Sequence, residues 1–123
     1  MAGRVDDKVA VITGAARGQG RSHAVRLAQE GADIIAVDIC QPIENSAAPP
    51  ATPEDLAETA DLVKALDRRI VTAEVDVRDY GSLKAAVDGG VEQLGRLDIV
   101  IANAGIGTVG VRLDRMDEDL WQQ

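Results

Sequence analysis

Residues Val9 to Ile12 form an unbroken apolar run that passes through Thr13 into Gly14-Ala15-Ala16-Arg17-Gly18-Gln19-Gly20. Such a run is a strand covered on both faces, the normal state of a strand in a parallel sheet. The glycines that follow force a tight turn into a helix. One permits the turn, another lets backbone approach a ligand, and the third lets helix and strand pack closely. A phosphate held there meets a helix amino terminus, where unpaired N–H groups and the helix dipole attract anions. The spacing Gly14-x-x-x-Gly18-x-Gly20 differs from the commoner G-x-G-x-x-G. No Lys-Ser or Lys-Thr follows it, which excludes a G-x-x-x-x-G-K-[ST] loop.

Strand and helix alternate through the rest of the chain. Ala24, Leu27 and Ala28 have helical spacing over 20–30, and Gly31 supplies the stop. Ile34 to Asp38 is a second buried strand. From Ile39 to Pro53 the connection is long and irregular and holds Pro42, Pro49, Pro50 and Pro53. Connections of that length inside a compact domain tend to be functional or mobile. Thr52-Pro53-Glu54-Asp55 then carries the marks of a helix start: Thr as N-cap, Pro at the first helical position, acids in the first turn. A third strand is expected over 70–77. A helix from about Asp79 to Leu94 follows, weakened in its second half by Gly89-Gly90 at about 1 kcal/mol each relative to Ala. Leu97 to Ala102 reads as a fourth strand, and Asp117 as the cap of a helix just begun at Trp121.

This order implies an α/β fold, a doubly wound parallel sheet of the Rossmann type with strand order 3-2-1-4. The apolar fourth strand would lie at an open edge, which finished domains avoid. Residues 1–123 are therefore expected to be one nucleotide-binding domain, the amino-terminal portion of a larger fold.

Composition narrows the partners. The net charge is −8, from 13 basic and 21 acidic residues, which repels nucleic acid. Aromatic residues make up 2%, too few for the stacking platforms that hold single strands. No apolar run reaches membrane-spanning length and residues 1–8 are polar, so no membrane partner is expected. A single cysteine, Cys40, excludes an internal disulfide and fits a reducing compartment, so the expected location is the cytoplasm. Cys40 itself reads as a small loop residue and His23 as a packing or solvent-facing group. No spacing suggests a metal cluster.

Asp38 stands 18 positions beyond Gly20, at the end of the second strand. A carboxylate there can accept both hydroxyls of an adenosine ribose and repels a 2′-phosphate, which favours NAD over NADP. Ile39 beside it offers a phosphate no charge. Arg17 pulls the other way, since a basic residue in the glycine turn can meet a phosphate or the ribose.

Thr13 to Gly20, Asp38, Asp76-Val77 and Asn103-Ala104-Gly105, in this order and spacing, resemble the short-chain dehydrogenase/reductase family across nearly the whole chain. Gln19, Ser22-His23, Val37 to Cys40 and the proline-containing insert are similar to its carveol-dehydrogenase-like, mycofactocin-associated branch, in which the insert is thought to cover NAD. The resemblance implies adenine contacts from Asp76 and Val77 and cofactor-side roles for Asn103, Ala104 and Gly105, beside Gly14, Arg17, Gly18, Gln19, Gly20, Asp38 and Ile39. It also implies an oxidoreductase that passes hydride between nicotinamide and a small-molecule alcohol or ketone, working as a homo-oligomer to whose interface Trp121 contributes. Gln19 and Ala102 depart from the usual family residues without touching cofactor binding.

The family's catalytic Ser and Tyr-x-x-x-Lys lie beyond the fourth strand, so this chain is expected to carry no catalytic residue and to be inactive alone. Tyr80-Gly81-Ser82-Leu83-Lys84 matches the Tyr-x-x-x-Lys spacing. It follows the third strand, however, on the adenine side, and reads as surface. Two other readings stay open: a non-catalytic nucleotide-binding module or inert fragment, and an S-adenosylmethionine site on a similar sheet.

Overall fold

A computed structural model describes residues 3–44, 46–107 and 111–122. Four strands, β1 (Val9–Thr13), β2 (Asp33–Asp38), β3 (Ile70–Glu74) and β4 (Ile99–Ile101), form one parallel sheet in the order β3-β2-β1-β4. Between them run α1 (Gly18–Gln29), α2 (Pro53–Lys64) and α3 (Tyr80–Leu94). A short 3-10 turn (Leu113–Arg115) and α4 (Glu118–Trp121) follow β4. The expected architecture and strand order are those observed.

Alternation along the central strands divides the core in two. Ala10, Ile12, Ile34 and Ala36 face α1 and α2, meeting Ala24, Ala28, Leu56 and Val63. Val9, Val11, Ile35 and Val37 face the other way, onto Leu94 and the half-buried Leu83, Val87 and Val91 of α3. Small residues on α1 let that helix lie close to the sheet and set the glycine turn directly over the end of β1.

The third and fourth strands are shorter than expected. The third strand stops at Glu74 rather than reaching 77. Val75 N–H still bonds the Asp38 carbonyl at 2.9 Å, but the chain then turns to Asp76, which carries the ion pair with Arg78. The fourth strand keeps only Ile99–Ile101, and side chains take part in the pairing at both ends. At one end Val9 N–H donates to Asp98 Oδ2 at 2.9 Å. At the other, Asn103 and Ala104 N–H groups share Thr13 Oγ1 at 3.1 and 3.0 Å.

The second half of α3 is intact as far as Leu94. Gly90 packs beneath the sheet, where a Cβ would come within 2.7 Å of Ile35 Cδ1, so the glycine that weakens the helix also seats it. Gly95 ends the helix in the left-handed conformation (φ 91°). Thr52 and Asp55 form a reciprocal capping box at the start of α2. Among the described residues no helix is long and apolar enough to cross a membrane, and no group of three His, Cys, Asp or Glu could hold a metal ion.

Candidate functional site

A cavity of about 570 Å³ opens at the carboxyl ends of the strands. This is where ligands bind in open α/β sheets, beside the point at which strand order reverses. Every residue singled out from the sequence lines it except Gly20: Gly14, Arg17, Gly18 and Gln19 from the turn, Asp38 at the end of β2 and Ile39 beyond it, Asp76 and Val77 after β3, and Asn103, Ala104 and Gly105 after β4.

Gly20 acts from behind. A Cβ there would stand 1.9 Å from the Gly14 carbonyl oxygen, so this is where α1 and the end of β1 touch. Gly14 has φ 68°, and a Cβ on it would meet Asn103 Nδ2 at 2.9 Å. Asn103 Nδ2 in turn donates to the carbonyls of Thr13 and Gly14 at 3.2 and 3.3 Å, tying the turn to the end of β4. At Gly18 a Cβ would have nothing within 4 Å, which leaves the backbone open to a ligand.

The helix behind the turn is left unfinished. α2, α3 and α4 each begin with a side-chain cap, from Thr52, Asp79 and Asp117. α1 begins at Arg17, whose side chain makes no cap bond, and carries no acid in its first turn. Its amino-terminal N–H groups and positive dipole end thus remain for an anion. Arg17 lines the cavity and donates from Nη2 to the Pro49 carbonyl.

Asp38 is 8% exposed. Its Oδ2 accepts from Ala16 N–H and its Oδ1 from Cys40 N–H, both at 3.0 Å. Each carboxylate oxygen has about two acceptor positions, so one on each remains. Among the described residues Asp38 pairs with no cation. Asp76 differs: Arg78 grips its carboxylate through Nε and Nη2, the latter at 2.7 Å from Oδ2, and that hydrogen bonding holds the Asp76 carboxyl below its usual range. Burial, with the charge of Asp38 next, pushes the Cys40 thiol up to about 11.

Reasoning from sequence missed two contributors, Arg78 and Thr59, and named no residue of the insert beyond Ile39 as part of the site. The insert does not merely connect: Ile43, Ser46, Ala48, Pro49, Pro50 and Ala51 line the cavity, and Ala47 N–H bonds the Gly107 carbonyl at 3.1 Å. Arg78 also lines it, and nothing in its spacing marked it. Thr59 is fully buried against the turn. A polar residue on the Leu56–Ala60–Val63 stripe was the available signal. Tyr80 is 75% exposed and Lys84 pairs with Asp88; neither lines the cavity.

The dinucleotide-type turn, the switch-point cavity and the carboxylate at the end of β2 define a nucleotide-binding α/β protein. The chain belongs to the short chain dehydrogenase family, which it matches over residues 8–123. It is 49% identical over 120 residues to (−)-trans-carveol dehydrogenase of Rhodococcus erythropolis, covering 98% of this chain and 43% of that protein. Carveol dehydrogenase from Mycobacterium avium, solved in complex with NAD, is 74% identical with a TM-score of 0.95, over 98% of this chain and 44% of that one. A short chain dehydrogenase from Mycobacterium paratuberculosis, solved bound to NAD, is 52% identical with a TM-score of 0.92, over the same shares. The chain thus spans less than half the length of these relatives.

Proposed function

We propose that this chain is the NAD-binding portion of an oxidoreductase that exchanges hydride between nicotinamide and a small alcohol or ketone. The observation that carries the reading is one cavity joining the unblocked start of α1 to the Asp38 carboxylate. The donor set fits the group. The α1 amides and Gly18 backbone would take the pyrophosphate, and Asp38 the two adenosine ribose hydroxyls. Asp76 and Val77 would flank the adenine, while Asn103, Ala104 and Gly105 would lie toward the nicotinamide side. Gly14 and Gly20 shape the turn, and Gln19 and Ile39 complete its rim. When bound, NAD supplies the hydride acceptor. The chain's own residues bind and orient it, and the insert residues over the cavity exclude water.

A second reading, a binding module without chemistry of its own, draws support from the lining. Among the described residues that line the cavity none is a Tyr, Lys or His, so proton transfer to substrate has no obvious donor there. The deciding experiment is titration calorimetry with NAD, NADP and S-adenosylmethionine. NAD should bind at least about tenfold more tightly than NADP, because a 2′-phosphate would meet Asp38 as a like charge. Equal affinities, or heat only with S-adenosylmethionine, would sink the proposal.

A further inference from the structure

Two polar side chains that do not line the cavity grip the glycine turn from the α2 side. Thr59, in the middle of α2, is fully buried. Its hydroxyl lies 2.9 Å from the Ala15 carbonyl oxygen and 3.1 Å from that of Ala16. Arg21, in the first turn of α1, donates from Nη2 to the carbonyls of Ala16 and Asp55 at 2.7 and 2.8 Å. Its Nε donates to Thr59 Oγ1 at 3.0 Å. Glu58 balances its charge, 3.4 Å from Nη1. Apolar contacts already join α1 to α2 and both to the sheet, so a buried hydroxyl and a guanidinium on successive turn carbonyls are more than packing needs.

The Ala15–Ala16 peptide gives this grip a target. Its carbonyl is held by Thr59, and its N–H, on the opposite edge of the same plane, donates to Asp38 Oδ2 at 3.0 Å. A peptide is rigid and planar, so the carbonyl cannot tilt without swinging the N–H away from the carboxylate. Arg21 fixes the next carbonyl along, which leaves the plane little freedom to rotate. One of the two amides that orient Asp38, the other being Cys40 N–H, is thereby fixed from a helix that does not line the cavity.

We propose that Thr59 and Arg21 are positioning residues for cofactor choice, acting through the Ala15–Ala16 peptide to hold Asp38 toward a ribose diol and against a 2′-phosphate. The inference rests on the NAD reading above. Selectivity of this kind comes from preorganisation: a carboxylate free to rotate loses its bonds to the hydroxyls and withdraws from the phosphate.

The test uses Thr59→Val, which keeps the shape and removes the hydroxyl, with Thr59→Ser as the rescue. Two quantities are read: the NAD-to-NADP affinity ratio by calorimetry, and amide exchange at Ala16 by NMR. In Thr59→Val the ratio should narrow by about fivefold, since a hydrogen bond to a charged group is weakened. Ala16 exchange should quicken about tenfold while Ile12, inside β1, is unchanged. Thr59→Ser should restore both. A loss of affinity equal for NAD and NADP would mean a structural role only and overturn the proposal, as would a ratio left at the parent value. Failure of the unsubstituted protein to bind NAD would overturn the parent reading and cofactor selection with it, and exchange at Ala16 would still report whether the grip exists. If Thr59→Val does not fold, Arg21→Lys carries the same test, because a lysine keeps the charge but cannot serve Ala16 and Thr59 together.

Discussion

β2 begins and ends with an aspartate, and the two are equally buried: Asp33 is 7% exposed and Asp38 8%. At the amino end, Asp33 meets Arg69 at 2.9 Å and Arg68 at 3.4 Å, and also accepts from Arg69 N–H. At the carboxyl end, Asp38 is held by two backbone amides and faces a cavity. The same residue on the same strand is neutralised within the protein at one end and left available at the other. A buried carboxylate without a cation is costly, and its persistence beside an unblocked helix terminus supports the proposal that this end of the sheet holds the cofactor.

The sharpest way to break this contrast is to remove each acid in turn. Asp33→Ala should cost about 2 kcal/mol of stability, because it leaves the Arg69 amide and the half-buried Arg68 without their acceptor. NAD affinity should not change. Asp38→Asn should act mainly on binding, weakening NAD about tenfold while costing about 1 kcal/mol of stability, since its NH2 would face one of the two backbone donors. Denaturant unfolding and calorimetry on both variants decide it. If both lose stability alike and affinity alike, the two ends are not functionally distinct.

Cys40 sharpens the comparison, since its N–H holds Asp38 Oδ1 and its thiol is buried beside that carboxylate. The thiol is raised from the ordinary 9.0 to about 11 by burial first and by Asp38 next. A raised thiol contributes stability that is complete below pH 9 and is lost as pH rises through 11. The loss should be about 2 kcal/mol. Unfolding followed from pH 8 to pH 11, with Cys40→Ala lacking this component, measures it. Parallel losses in the two proteins would show that the thiol does not sense the buried acid.

What the sequence could reveal follows from how each signal is encoded. Continuous apolar runs and the three glycines are local patterns, so β1, β2, the turn and the strand order were legible, as was Thr52 as a cap. The ends of β4 were not, because they depend on Asp98 and Thr13 side chains reaching positions 89 to 91 residues away. The insert's place over the cavity depends on Arg17 and Pro49, 32 residues apart. The packing role of Gly90 was not legible because the partner that requires it, Ile35, lies far off in sequence, on β2.

The smallest expected effect concerns Tyr80 and Lys84, where a catalytic spacing occurs without a site. Tyr80 is 75% exposed on the first turn of α3, and Lys84 forms an i,i+4 ion pair with Asp88. An exposed pair of this kind is worth about 0.3–0.5 kcal/mol. Tyr80→Phe and Lys84→Met should therefore each change stability by about 0.5 kcal/mol at most, with NAD affinity unaltered. The spacing i,i+4 merely puts two side chains on one helix face. Function needs that face to meet a cavity, and here it meets solvent. Should either variant weaken NAD several-fold in calorimetry, the adenine side of the cavity would extend further along α3 than its lining indicates, and the division between the working and the structural parts of the sheet would have to be redrawn.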